Sequence, residues 1–191
     1  MRPSKTTRLG NVPSVSLVPD LAARIRDAAL LEGDFVLSSG ERSKFYVDKY
    51  LFSTEPYLLR DVADALAEQM PGGVDRLAGV ELGAVPLVVA TALATGLPYV
   101  IVRKFVKDHG SSAGRSTEGK LEAGERVALI EDVVTTGTQA VRAARTLQDE
   151  GVEVVMIVAV LDRRVDEGGE IGGFPLRTLL RMEDLRVVKT D

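Results

Sequence analysis

From Arg76 onward the sequence alternates two kinds of run. Short stretches that are almost wholly apolar, VALI at 127–130 and VEVVMIVAVL at 152–161, are separated by segments with helical spacing. Strands that read as unbroken apolar, β-branched runs are strands covered on both faces. Strand–helix alternation of this kind builds a parallel sheet through right-handed crossovers. The expected strands are Arg76–Val80, Pro98–Val102, Val127–Ile130 and Val152–Leu161; the expected helices are Pro86–Thr95 and about Gly137 to Glu150. In an open parallel sheet, ligands bind beyond the carboxyl ends of the strands. Function is therefore to be sought just after Val80, Val102, Ile130 and Leu161, and all four places carry polar or glycine-rich sequence.

The first part of the chain reads differently. Asp20 is placed to cap a helix running to about Glu32, with Leu21, Ile25, Ala28 and Ala29 on one face and Gly33 as its stop. Phe35–Leu37 and Lys44–Val47 read as two strands around the turn SSGERS. Ser53 or Thr54 is expected to cap a second helix with Pro56 in its first turn, and Pro71-Gly72-Gly73 to stop it. The C-terminal LLRMEDLRVVKTD predicts one short helix and a polar end. Residues 1–19 carry Arg2, Lys5 and Arg8 and no acid, but Pro3, Pro13 and Pro19 oppose the amphipathic helix of a targeting peptide. They are read as a plain N-terminal arm, followed by a single domain over 20–191.

Composition removes several classes of chemistry. The 191 residues include no cysteine and one histidine, His109. Disulfide scaffolds, thiol catalysis, iron–sulfur clusters and multi-histidine metal sites are excluded. No apolar run approaches the ~18 residues of a membrane span. A net charge of −4 argues against a general nucleic-acid binder.

The most informative stretch is ALIEDVVTTGTQAV, residues 128–141. An apolar strand ends in Glu131 and Asp132; Val133 and Val134 follow, then Thr135-Thr136-Gly137-Thr138-Gln139 opening a helix. Free N–H groups at a helix start form an anion site, and Gly137 lets the backbone approach a phosphate closely. Two carboxylates upstream suit the vicinal hydroxyls of a sugar, directly or through Mg²⁺. The pattern fits one ribose-phosphate ligand; a threonine-capped helix after a strand-end acid pair is the plainer alternative. The second stretch runs from Arg103 to Lys120, with five basic residues against two acids in an acidic protein. It follows a buried-type strand and is long for an irregular loop, as a basic lid over phosphates would be, although many charge runs are only solvated faces. Within it, GRSTEGKL at 114–121 nearly spells a phosphate-loop motif. Leu121 replaces the required hydroxyl and no strand precedes it, so that reading is set aside. The third stretch, GVELGAVP at 79–86, brings Gly83-Ala84 to a strand-to-helix turn. The fourth, LDRR at 161–164, puts Arg163 after the most apolar strand, where it can pair with a carboxylate or sit as an ordinary surface arginine.

Together these stretches resemble a family. ALIEDVVTTGTQ resembles the phosphoribosyl-diphosphate (PRPP) signature of type I phosphoribosyltransferases. VRKFVKDHG resembles the R-K-x-x-K-x-H-G loop of the orotate phosphoribosyltransferases. DFVLSSGERSKFYVD and LDRR resemble two further segments of the same family. The resemblance covers about residues 20–190. It implies an α/β fold of the type I phosphoribosyltransferase kind, with a mostly parallel central sheet flanked by helices. It further implies a small N-terminal hood (20–50 plus the C-terminal segment), a core at about 55–165 and a mobile basic loop.

The implied reaction is PRPP + orotate ⇌ orotidine 5′-phosphate + pyrophosphate, in cytoplasmic pyrimidine synthesis, with Mg²⁺ held mainly by PRPP. It implies Arg103, Lys104, Lys107 and His109 at the pyrophosphate, Glu131–Gln139 at the ribose 5-phosphate, and Thr135 and Arg163 at orotate. Lys107, His109 and Asp132 are the implied catalytic residues. The resemblance also implies a homodimer with shared active sites. Three positions depart from many members: Ser38 and Gly83 stand where lysines occur, and Glu131 where an aspartate occurs. The rival readings are a purine-base phosphoribosyltransferase and a non-catalytic PRPP-binding regulator of the same fold.

Overall fold

The computed structural model describes residues 20–36, 40, 42–104, 116–165 and 168–185. The first described helix, α1 (Leu21–Ala29), runs directly into β1 (Leu30–Val36). β1 pairs antiparallel with β2 (Arg42–Val47), Leu30 opposite Val47 and Val36 opposite Arg42. The helix thus ends three residues before the expected Glu32, because Leu30–Glu32 take partners in this ladder. Gly33 falls in the register shift between Glu32 and Phe35 rather than at a helix end. Asp20 stands at the N-cap, but its side chain makes no capping bond.

A short helix that the sequence did not suggest, α2 (Lys49–Ser53), follows; Asp48 caps it by accepting from the Tyr50 N–H at 3.0 Å. The next helix, α3 (Pro56–Glu68), is capped by Glu55 and not by Ser53 or Thr54. The Glu55 carboxylate accepts from the N–H groups of Tyr57 and Leu58. Thr54 is occupied at the end of α2, where its hydroxyl donates to the Tyr50 carbonyl.

The remaining elements are β3 (Arg76–Val80), α4 (Val85–Thr95), β4 (Tyr99–Val102), β5 (Thr117–Glu118), β6 (Arg126–Val134), α5 (Thr138–Asp149), β7 (Glu153–Asp162), β8 (Glu170–Ile171) and β9 (Phe174–Arg181). They build one seven-stranded sheet in the order β5-β4-β3-β6-β7-β9-β8. The pairs β3–β4, β3–β6, β6–β7 and β7–β9 are parallel, and only the short edge strands β5 and β8 run antiparallel. The expected architecture, a mostly parallel sheet with helices on its faces, is the one observed.

Two apolar layers hold it together. On one face Ile25, Leu66 and Leu87 from α1, α3 and α4 cover Leu77, Ala128, Ile130 and Val158. On the other, Ala140, Ala144 and Leu147 of α5 cover Ala78, Leu129, Ile157 and Ala159. Each fully buried aliphatic side chain of this size contributes roughly 1.5–3 kcal/mol.

Two expectations for the chain's second half need correction. β6 does not end at Ile130; it runs through Glu131 and Asp132 to Val134, because β7 offers ladder partners as far as Asp162 opposite Val134. The short helix expected in LLRMEDLRVVKTD is instead the end of β9, with Leu180 paired opposite Leu161, followed by a turn to Leu185. The sheet therefore continues past residue 165 to Arg181. Leu180 and Leu185 belong to the same buried cluster as Leu21 and Ile25. Among the described residues no helix is long and apolar enough to cross a membrane.

Candidate active site

β6 and α5 meet at a cavity of about 430 Å³, at the carboxyl edge of the parallel strands. The turn between them and the first turns of α5 supply most of its wall, from Val133 through Ala140, with Arg142, Ala143 and Thr146 further along the helix. Arg103, Lys104 and Ser116 close it from the side of β4, and Glu131 lies at its floor. Nearly the whole expected ribose-phosphate stretch is thus drawn into one concave surface. Arg142 and Thr146 went unnoticed in the sequence; their spacing of four from Thr138 places all three on one helix face.

Gly137 sits at the N-cap of α5 with φ 76°, so it has no side chain to occupy the helix start. A Cβ there would stand 1.7 Å from Ile171 Cδ1. Left-handed backbone and close approach together require glycine. The hydroxyls of Thr136 and Thr138 lie 3.1 Å apart and ring the same helix end. The result is a helix start with room at Gly137 and hydroxyls beside it, at the place where the sequence leads one to expect a phosphate.

The two adjacent acids part company. Side chains alternate along a strand, so Glu131 and Asp132 project to opposite faces of the sheet. Glu131 lines the cavity, is 5% exposed, and its Oε2 is buried without a hydrogen-bond partner. Burial pushes its carboxyl up to about 8, the Asp132 charge adds to that, and Lys49 and Lys104 oppose it. Asp132 points to the other face, where Oδ2 meets Lys49 Nζ at 2.6 Å and Oδ1 accepts from the Val133 N–H at 2.6 Å. Lys49 was not singled out in the sequence; one lysine after Asp48, in an N-terminal segment, carries no local signal. Its ammonium is held above the ordinary lysine range: burial works downward, but the hydrogen bond and charge of Asp132 outweigh it. Asp132 and Lys49 crowd Gly83, where a Cβ would lie 1.5 Å from Asp132 Oδ2 and 2.8 Å from Lys49 Nζ.

On the basic side, the Arg103 guanidinium donates to Glu118 Oε1 at 3.1 Å, and the Lys104 N–H donates to Glu81 Oε1 at 2.6 Å. The second contact ties the start of the basic stretch to the turn after β3. Lys107, His109 and Ser38 lie outside the described residues, as do 1–19. Arg163 is joined to β6 through its N–H to the Val134 carbonyl at 2.8 Å, one residue from Thr135. The backbones at the two positions expected at orotate thus lie close, but Thr135 lines the cavity and Arg163 does not. Its neighbour Arg164 is used structurally. It grips both oxygens of Asp162 and donates to the carbonyls of Gly168 and Glu170. That ion pair is nearly buried, and with the two carbonyl contacts it ties the end of β7 to Gly168 and Glu170.

Residues 56–171 match the family model for the phosphoribosyl transferase domain. The orotate phosphoribosyltransferase of Natronomonas pharaonis is 48% identical over 145 residues, covering 75% of this chain and 82% of that protein. Among solved structures, the Mycobacterium tuberculosis orotate phosphoribosyltransferase in complex with PRPP superposes with a TM-score of 0.67. It is 30% identical, and the match covers 87% of this chain and 96% of that one. Leishmania donovani UMP synthase superposes with a TM-score of 0.73 at 29% identity; the match covers 87% of this chain but spans only 36% of that longer one. A helix opened by Gly137 at the edge of a mostly parallel sheet and these similarities lead to one assignment: this chain belongs to the phosphoribosyltransferase family, and within it to the orotate phosphoribosyltransferases.

Proposed function

We infer that the chain transfers the 5-phosphoribosyl group of PRPP to orotate, giving orotidine 5′-phosphate and pyrophosphate. The observation that carries this reading is the cavity itself, which sets a phosphate-binding helix end and an acid of ribose-binding type within one enclosure. The relatives do not favour the purine-base or regulator readings.

In the reaction the bond from ribose C1 to the pyrophosphate oxygen breaks and a bond to an orotate ring nitrogen forms, with loss of that nitrogen's proton. The departing pair of electrons leaves with pyrophosphate, so positive charge builds on the sugar and negative charge on the leaving group. Catalysis of this kind is positioning and electrostatics. Thr135–Gln139 and the α5 N-terminus would hold the 5-phosphate. Glu131 and Asp132 would bind ribose hydroxyls. Arg103, Lys104, Lys107 and His109 would take the pyrophosphate, with a proton supplied to it by Lys107 or His109. Thr135 and Arg163 would orient orotate, the arginine facing its carboxylate.

Mg²⁺ belongs to the same proposal. Among the described residues no group of three acid or histidine side chains is assembled to cage a metal. Glu131 does offer an unpartnered buried oxygen at the cavity. That donor set suits a Mg²⁺ carried in by the diphosphate and keeping most of its other ligands from substrate and water. When bound it would supply positive charge to the leaving group. We also propose a homodimer acting in cytoplasmic pyrimidine synthesis, with the Arg103–Lys120 loop reaching the neighbouring subunit's site.

Mixing purified protein, PRPP, Mg²⁺ and orotate should consume orotate absorbance, and adenine in its place should not react. Turnover of adenine alone would overturn the assignment. Loop sharing is checked by mixing Lys104→Ala with Asp132→Asn under subunit exchange. Half the dimers would be mixed, each with one intact site, so about a quarter of the parent activity should return. No recovery despite exchange would assign Lys104 to its own subunit's site.

A further inference from the structure

The turn Glu81–Ala84, at the carboxyl end of β3, contains an acid and no base. Even so, a cation stands on it. Lys49 Nζ lies 2.8 Å from where a Cβ of Gly83 would be, delivered by α2 from a segment more than thirty residues upstream. It reaches this place because position 83 is glycine, since any side chain there would first meet the Asp132 carboxylate. Lys49 and Asp132 are unequal partners. The Asp132 side chain is 5% exposed, whereas that of Lys49 is 36% exposed and keeps an open side. A half-exposed lysine changes partners at small net cost, because one charge-assisted contact replaces another.

We propose that Lys49 is a pyrophosphate-binding residue of this enzyme, a role that rests on the phosphoribosyltransferase reading. In the empty site its ammonium neutralises Asp132. When PRPP binds, Asp132 turns to the ribose hydroxyls and Lys49 takes the diphosphate at the Glu81–Ala84 turn. The exchange places no unpaired charge at the edge of the sheet in either state. It also answers a need that the turn itself creates: a diphosphate set beside Glu81 and Asp132 requires a cation on that side. The turn supplies none of its own, and position 83 has no side chain.

The test separates pyrophosphate binding from mere support of Asp132. Parent, Lys49→Met and Lys49→Arg proteins are titrated calorimetrically with PRPP and with ribose 5-phosphate, both in Mg²⁺. Ribose 5-phosphate has the same sugar and 5-phosphate and lacks only the leaving group. Lys49→Met should weaken PRPP about tenfold or more. Ribose 5-phosphate should stay within about twofold, and Lys49→Arg should recover most of the loss. Gly83→Ala, which crowds the pair without removing the charge, should show the same selectivity in milder form. Equal weakening of both ligands would show that Lys49 only positions Asp132 and would overturn the proposal, as would unchanged PRPP affinity. A parent protein that binds no PRPP would bring down the phosphoribosyltransferase reading itself, and the proposal with it.

Discussion

The two faces of β6 solve similar problems with different materials. On the α5 face, Glu131 and the residues from Val133 to Thr146 form most of a cavity from one continuous piece of chain. On the opposite face, Asp132 is completed by Lys49 from α2 and room left by Gly83 after β3, three segments far apart in sequence. One site is built by a strand handing over to a helix; the other exists only once α2 is packed against the sheet. A local site tolerates little change in its backbone, because its geometry is its function. An assembled site tolerates backbone change better and depends on charge.

Gly137→Ala should give the largest effect. The added Cβ meets Ile171 and the left-handed backbone disfavours it, at about 1–2 kcal/mol for the conformation alone. Thermal unfolding should show that loss, and PRPP turnover should fall at least about tenfold because the phosphate cradle moves. Gly83→Ala is the control on the other face: an added Cβ also meets side-chain atoms there, but the φ of Gly83 is not left-handed. A Gly137→Ala protein as stable and active as Gly83→Ala would break the distinction.

Arg163→Ala should come next. A charged hydrogen bond to the orotate carboxylate is worth ~1.5–3 kcal/mol, so KM for orotate should rise by roughly ten- to a hundredfold while KM for PRPP holds. Steady-state kinetics with each substrate varied in turn checks it. An equal rise in both would move Arg163 from the base to the shared scaffold.

The smallest effect is a pH dependence that belongs to the cavity face alone. Glu131 holds its proton up to about pH 8 when folded, against an ordinary value of 4.5. Between those values the folded chain binds more protons than the unfolded one, so stability falls as pH rises through the window. The contribution is present in full below about 4.5 and is lost as pH passes about 8. Glu131→Gln should flatten the decline in Tm across that window, whereas Lys49→Met should not. Parallel Tm profiles for parent and Glu131→Gln would show that Glu131 is ionised throughout.

Much of this was legible from the chain. The apolar runs announced a parallel sheet, and the order of acids, threonines and glycine announced the cradle, since both signals are local and periodic. Element ends were less legible. β6 runs on through Glu131 and Asp132 because β7 supplies ladder partners there, and α1 gives up Leu30–Glu32 to a strand because β2 lies alongside. Glu55 displaced Thr54 as a cap because Thr54 was already bonded to Tyr50.

By itself, then, the sequence determined the layered architecture and the strand-to-helix turn with its threonines and Gly137 at the carboxyl edge of the sheet, because each depends on residues within a few positions of one another. Only the tertiary structure decided that two neighbouring acids serve different faces, that Arg164 is spent on Asp162 while the Arg163 backbone is tied to Val134, and that Lys49 stands beside Gly83. Strand alternation gives a side chain its face, but what it meets there is set by elements packed from elsewhere, and no local pattern records them.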